Sequence, residues 1–372
     1  MKIVVVGGGY AGLSCLMRLA ELLPGSSRIL VDPSDQHLKL TRLHEGLRRP
    51  PGDLRVPFDR LARKYGFVHV AARPALSLRV LQRAAARRRL EWRGAAEAFD
   101  ALVVAVGVRP RPRPVQAGCV GLADLKRLDG RGIVERIARE HGGRQDRVTV
   151  VGGGATGLQY LFELRDALRR EGAGTRLALV DPGQKLLPDQ PEQFHDYVTR
   201  RMEEAGIRYL KGYRLRSAEE GQLVLVGPRG GVRRWRSGIS LVLTGTTGNP
   251  SILETSETGQ VLATGAELRR IFAAGDCSTY RGGGFDAASA QSAVRKGRLV
   301  AENLKRIADH RKLRPYDAPE LGFFLSMGVL DGIGWAGDRR AVVTGVAAFA
   351  VREAIEARYE LFVKGIDTFG LL

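Results

Sequence analysis

Two G-x-G-x-x-G turns, each between a short apolar strand and a helix, predict an α/β protein. Two further apolar strands that run into glycine complete the expectation. The architecture they imply is a pair of Rossmann-like dinucleotide-binding domains followed by a C-terminal α+β segment.

The first unit is read from residues 1–32. Lys2–Val6 is a β-branched run suited to a buried parallel strand. Gly7-Gly8-Gly9-Tyr10-Ala11-Gly12 follows, then a helical stretch Leu13–Leu23, a Pro24-Gly25 stop, a second strand Arg28–Val31, and Asp32 at its tip. Gly7 permits the tight turn, Gly9 lets backbone approach a pyrophosphate, and Gly12 allows close helix–strand packing. Tyr10 and Ala11 belong to the turn as candidate cofactor contacts, and the N-terminal N–H groups of the helix that follows favour phosphate. Asp32, 20 residues after Gly12, can accept hydrogen bonds from a ribose diol.

The pattern returns about 145 residues later. Arg147–Val151 is a strand, Gly152-Gly153-Gly154-Ala155-Thr156-Gly157 a second fingerprint, and Leu158–Arg170 a helix. Arg176–Val180 is the next strand, with Asp181 at its tip, 24 residues after Gly157. Ala101–Val106 runs into Gly107, and Ser240–Leu243 into Thr244-Gly245; Ala105, Gly107 and Gly245 thereby become candidate cofactor contacts. Arg109–Pro114 alternates arginine and proline and reads as a stiff linker. Arg79–Arg93 reads as an exposed hairpin with a charged turn, since a nucleic-acid patch would interleave more aromatics than Trp92. Later, Ile271–Cys277 (IFAAGDC) ends a strand in Gly-Asp, and Ala287–Asn303 is helical. Asp276 sits where it can meet a polyol chain or cap a helix, with Gln291 beyond it.

Composition narrows the class. A chain of 372 residues suits two or three compact units. Fifty-nine Lys+Arg against 40 Asp+Glu give a net charge of +19, with only 10 of the cations lysine. That field favours anionic partners, including nucleotides or an anionic membrane surface, although arginine excess also follows from GC-rich coding or hot growth. Cys15, Cys119 and Cys277 form no C-x-x-C, the six histidines show no metal-binding spacing, and no metal is expected. No signal peptide or run of about 18 apolar residues is read, so the expected location is cytoplasmic, with peripheral attachment to the inner membrane face allowed.

Taken in order, VVVGGGYAGL, DALVVAVG, VTVVGGGATGL, LALVDPGQKLLP, LVLTGTTGNP and IFAAGDCS resemble the flavoproteins with two dinucleotide-binding domains. Within them the chain resembles the type II NADH:quinone oxidoreductases and the apoptosis-inducing-factor-like ferroptosis suppressor proteins. The tail GFFLSMG…DGIG resembles the latter, and AQSAVRKG the segment bordering flavin and quinone in the former. The resemblance implies FAD on Gly7, Gly9, Gly12 and Asp32, with Asp276 at the ribityl chain and Gln291 by the isoalloxazine. It implies NADH on Gly152, Gly154, Gly157 and Asp181, with Gly245 near the nicotinamide. Asp181 favours NADH over NADPH, while Arg176 and Lys185 keep NADPH open. Many relatives carry glutamate where this chain has Gln159, which cannot exchange a proton.

The implied reaction passes hydride from the nicotinamide to the flavin and then two electrons to a quinone-like acceptor, with Gln159 and Gln291 as the candidate catalytic positions. The implied FAD domain is 1–112 with 247–315, the NAD(P) domain 113–246, and the closing segment 316–372. Two alternatives stay open: reduction of a small acidic carrier of ferredoxin or rubredoxin type, and a nucleic-acid-binding flavoprotein, although no specific nucleic-acid partner is expected. Val351, Ile355, Tyr359 and Phe362 form one helical stripe. Periodicity alone assigns that stripe to the protein's own core. A lipid-soluble acceptor and the positive charge argue for a membrane or homodimer surface.

Overall fold

Lys2–Val6 lies between Ser27–Val31 and Ala101–Val104 in a parallel sheet, because its residues from Ile3 onward are apolar and both its faces are covered. The computed structural model describes residues 1–92, 94–111, 118–143, 147–219, 221–249 and 251–366. The chain forms two compact units.

The first unit comprises 1–39, 55–109 and 246–320. Its eight-stranded sheet runs, in spatial order, Ser278–Tyr280, Leu253–Thr255, Gln260–Ala263, Ala266–Ala273, Ala101–Val104, Lys2–Val6, Ser27–Val31 and Val68–Val70. The chain leaves Lys2–Val6 toward one side and returns on the other, so a topological switch point lies at its C-terminal end. The helix Ala290–Ala308 crosses the first helix, Tyr10–Leu22, so closely that a Cβ on Gly297 would stand 2.2 Å from the Ala11 carbonyl oxygen.

The second unit comprises 40–54, 110–245 and 321–372. Its parallel sheet runs Cys119–Gly121, Ile239–Val242, Arg147–Val151, Arg176–Asp181 and Arg208–Lys211, with the same switch beside its central strand. An antiparallel meander, Arg214–Glu219, Gln222–Val226 and Val232–Arg236, covers one face. The tail adds a three-stranded antiparallel sheet (Gly322–Ser326, Gly332–Ala336, Val342–Thr344) and the helix Gly345–Val363.

The division differs from the expected one at three places. The segment 40–54 leaves the first unit for the second. The crossings fall at 109/110 and 245/246 rather than 112/113 and 246/247. Residues 321–372 belong to the second unit instead of standing apart. Residues 112–114 of the expected linker, and Arg93, lie outside the described residues. The basic stretch read as a hairpin begins as a helix, Leu78–Arg87, capped by the Ser77 hydroxyl, and only Arg89–Trp92 and Ala95–Ala98 form a hairpin.

The C-terminal helix departs in part from the core packing that periodicity alone assigns its apolar stripe. Its buried residues are Ala348, Arg352, Glu356, Phe362 and Val363. The apolar stripe thus keeps Phe362 inside, while the first three buried positions lie on a stripe one residue on from Val351 and Ile355, about 100° round the helix. Val351 and Ile355 are 39% and 40% exposed. The cause is Glu45, wholly buried, which accepts from Arg352 Nη1 at 2.8 Å and Arg42 Nη2 at 2.9 Å. Burial pushes this carboxyl up, but the Arg352 charge and the two arginine hydrogen bonds outweigh it, leaving a pKa of about 2. Replacing Arg352→Met would keep the packing volume and remove one charged hydrogen bond to the carboxylate, leaving Arg42 and Arg49 on its other oxygen. Denaturant unfolding is expected to show a loss of about 1.5–3 kcal/mol at neutral pH, shrinking at acid pH as Glu45 protonates in the variant.

Candidate functional site

Both glycine turns are built alike. Gly7 has φ +105° and Gly152 φ +114°; a Cβ on either would strike the carbonyl oxygen of the strand across the switch point, Ala105 at 2.4 Å or Leu243 at 2.2 Å. A Cβ on Gly12 or Gly157 would stand 1.9 or 1.8 Å from the carbonyl oxygen of Gly7 or Gly152, which fixes glycine where the helix meets the strand. Gly9 and Gly154 are the opposite case, with no protein atom within 4 Å of the position. Each is the N-cap of its helix and supplies no side-chain cap, so the first-turn N–H groups face open space. That combination fits a pyrophosphate.

The two aspartates close the turns. Asp32 accepts from Gly8 N–H at 2.7 Å and Ser34 N–H at 2.8 Å. Asp181 accepts from Gly153 N–H at 2.6 Å and Gly183 N–H at 2.7 Å. A carboxylate offers about four lone-pair sites, so both retain capacity for ribose hydroxyls.

In the first unit, Tyr10 and Ala11 are buried on the helix, while Ala105 and Gly107 follow the Ala101–Val104 strand. Gly275, at φ +81°, turns the end of Ala266–Ala273 so that half-buried Asp276 follows at the same sheet edge as the glycine turn. Gln291 is half-buried in the first turn of Ala290–Ala308. In the second unit, Ala155 and Thr156 open Ala155–Arg170, half-buried Gln159 lies in its second turn, and Gly245, at φ +91°, follows Ile239–Val242.

Two cations keep different places from those expected. Arg176 opens the strand that Asp181 ends, about 17 Å away at 3.3 Å per residue, so it cannot serve a 2′-phosphate beside Asp181. Lys185 Nζ pairs with Glu192 at 2.5 Å. The distance of Arg176 favours NADH.

Several groups escaped the sequence. His37 donates from Nδ1 to the Gly8 carbonyl at 3.0 Å, packs edge-on against Tyr10, and is pushed by burial to a pKa of about 4. Lys296 is buried, donates to the Ser278 carbonyl at 2.8 Å and pairs with Asp286, pinning the loop after Asp276. Glu163, one turn beyond Gln159, is fully buried; Arg48 holds one oxygen and the other has no hydrogen-bond partner. Burial pushes its carboxyl up against the pull of Arg48. Only Lys296 had a visible signal, as a lone lysine in an otherwise small and apolar helix face.

The model of the pyridine nucleotide-disulphide oxidoreductases matches residues 1–297. The chain belongs to that family. As a pyridine nucleotide-disulphide oxidoreductase family member it is an oxidoreductase whose cofactors are FAD and NADH. It is 24% identical over 401 aligned positions to a type II NADH:quinone oxidoreductase of Staphylococcus aureus, covering 98% of this chain and 96% of that one. Its fold is similar to NDH2 of Plasmodium falciparum in complex with NADH, with a TM-score of 0.79, 13% identity and coverage of 99% and 98%. It is also similar to the sulfide:quinone oxidoreductase of Aquifex aeolicus, with a TM-score of 0.81, 14% identity and coverage of 97% and 91%. The family's name includes disulphide chemistry, yet Cys15 and Cys277 are buried with their thiols pushed up, Cys277 to about 11, and Cys277 donates to backbone carbonyls. None of the three cysteines forms a disulfide.

The open space at Gly9 and the filled space at Gly12 separate binding from folding. Gly9→Val is expected to purify folded and colourless, with the flavin absorbance lost. Gly12→Val is expected to fail in folding. Full flavin in Gly9→Val would remove the first turn from the FAD site.

Proposed function

We propose that the protein oxidises NADH through bound FAD and passes the electrons to a quinone-like acceptor. The reading is carried by two complete phosphate cradles, each closed by its own aspartate, in a chain similar along nearly its whole length to a type II NADH:quinone oxidoreductase. When bound, FAD supplies the two-electron chemistry that connects nicotinamide to acceptor. The chain's residues bind and orient. The Gly7–Gly12 turn holds the FAD pyrophosphate on first-turn N–H groups, Asp32 the adenosine ribose, and Asp276 the ribityl chain. Gly152–Gly157 and Asp181 hold NADH in the same way. Gln159 and Gln291 serve as hydrogen-bonding groups, and neither exchanges a proton. The domain roles follow: the first unit is the FAD domain and the second the NADH domain.

The exposed apolar residues of the tail support a lipid-facing role for it. Val329, Leu330, Val343, Val346, Val351, Ile355 and Leu361 all lie there and are each at least 37% exposed. Among the described residues no helix is long and apolar enough to cross a membrane, and the attachment proposed is peripheral.

Anaerobic mixing of the yellow protein with NADH is expected to bleach the flavin, and a short-chain quinone to restore it. Restoration only by an acidic iron–sulfur carrier would overturn the quinone assignment. Asp181→Ala is expected to raise KM for NADH about tenfold and narrow the preference over NADPH; equal use of both coenzymes by the unaltered protein would contradict the role of Asp181. Gln159→Glu introduces an ionisable group whose pKa partial burial raises, and a new pH dependence is expected in one half-reaction at unchanged FAD content. Removing the C-terminal helix would strip Glu45 of a partner, so the membrane test uses its outer face. Val351→Glu with Ile355→Glu is expected to abolish co-sedimentation with anionic vesicles while leaving soluble-quinone turnover intact. Unchanged vesicle binding with a change from dimer to monomer would make this face a subunit interface.

A further inference from the structure

Three neighbouring strands of the second unit open with arginine: Arg147 in Arg147–Val151, Arg176 in Arg176–Asp181 and Arg208 in Arg208–Lys211. In the ladder Arg147 lies opposite Arg176, and Arg208 lies opposite Ala178, two residues on from Arg176. Side chains alternate between faces along a strand, so all three arginines project from one face. On that face the following positions, Val151, Ala178, Val180 and Leu210, pack under the meander. The arginines form its rim.

The meander brings Arg233 and Trp235 to the same rim. Trp235 is almost wholly buried and its indole N–H donates to Thr149 Oγ1 at 3.1 Å. The guanidinium groups of Arg147 and Arg233 lie over its ring at 4.0 and 5.1 Å from the centroid, and Arg233 is 5.8 Å from the Tyr213 ring. Stacking of this kind holds a guanidinium by its face and leaves its N–H edge free. Among the described residues no carboxylate pairs with any of the four arginines. On the adjacent elements, Glu219 turns to Arg234 and Gln222, and Glu204 to Arg200 and Arg201. Burial, with the charges of Arg176, Arg208 and Arg233, pushes Arg147 below its usual value. Like charges on adjacent strands repel, and a polyanion removes that repulsion.

We propose that this rim is a binding site for a compact, multiply charged phosphate group, distinct from the dinucleotide site. The glycine turn lies at the other end of the same strands, about 17 Å away. Three strands span about 10 Å, a width that fits a polyphosphate or a phospholipid headgroup rather than a track for extended nucleic acid. A phosphate offers at least three acceptor oxygens to several guanidinium forks, where a carboxylate offers two.

The test uses the FAD-loaded protein at low salt. Calorimetric titration with tripolyphosphate is expected to give saturable binding that saturating NADH does not displace. Arg176→Gln with Arg208→Gln, and separately Arg233→Gln, are expected to weaken it by about tenfold while flavin reduction by NADH stays unchanged. Absence of binding, competition by NADH, or equal affinity in these variants would overturn the site. Sedimentation with phosphatidylglycerol vesicles separates the two sources of phosphate. Loss of vesicle binding in the arginine variants assigns a headgroup, and retained vesicle binding with lost tripolyphosphate binding assigns a free phosphate. Tighter binding of a short DNA duplex than of tripolyphosphate, lost in the same variants, would overturn the compact ligand in favour of nucleic acid.

Discussion

A single hydrogen bond, from the N–H of the middle glycine to the aspartate at the tip of the next strand, organises each nucleotide turn. It ties the end of one strand and the start of a helix to the neighbouring strand: Gly8 to Asp32, and Gly153 to Asp181. The bond also explains a glycine to which the fingerprint assigns no role. A Cβ on Gly153 would stand 3.1 Å from the Asp181 carboxyl and 2.4 Å from Leu186, and one on Gly8 would enter the Phe58 ring. The aspartate therefore has a structural duty before it meets any ribose, and its two oxygens divide the work.

At the C-terminal helix the competition is between charge and apolar area. Leaving Val351 and Ile355 about two-fifths exposed costs on the order of 1 kcal/mol each. Turning the helix to bury them would take Arg352 from both Glu45 and the Thr41 carbonyl, and each hydrogen bond to a charged group is worth about 1.5–3 kcal/mol. The charge wins. Val351 and Ile355 face outward as the residue of that choice, which gives the surface a chemistry that most exposed helices lack.

Much of this was legible. The two strand–turn–helix repeats appear within three residues of their expected places, because local periodicity and turn glycines act over short distances. What periodicity missed depends on partners far along the chain. Arg352 is buried because of Glu45, some 300 residues earlier. His37 is held neutral by its burial, against a Gly8 carbonyl that favours the charged ring, and 40–54 joins the second unit through Arg48–Glu163 and Arg352–Glu45. Arg79–Arg87 was misread because a charged surface helix and a charged hairpin share a composition, and only the Ser77 cap separates them.

The interleaving of the two units governs how the chain is made. The first sheet lacks Ala266–Ala273 until that strand emerges, and the second unit waits for 321–366 while its piece 40–54 was made long before. Neither unit is a contiguous stretch that can close during synthesis. Contacts of such separation slow folding and leave apolar strands exposed meanwhile. The nascent protein would therefore lean on holdase chaperones, and neither nucleotide fold would survive expression as a simple N- or C-terminal half.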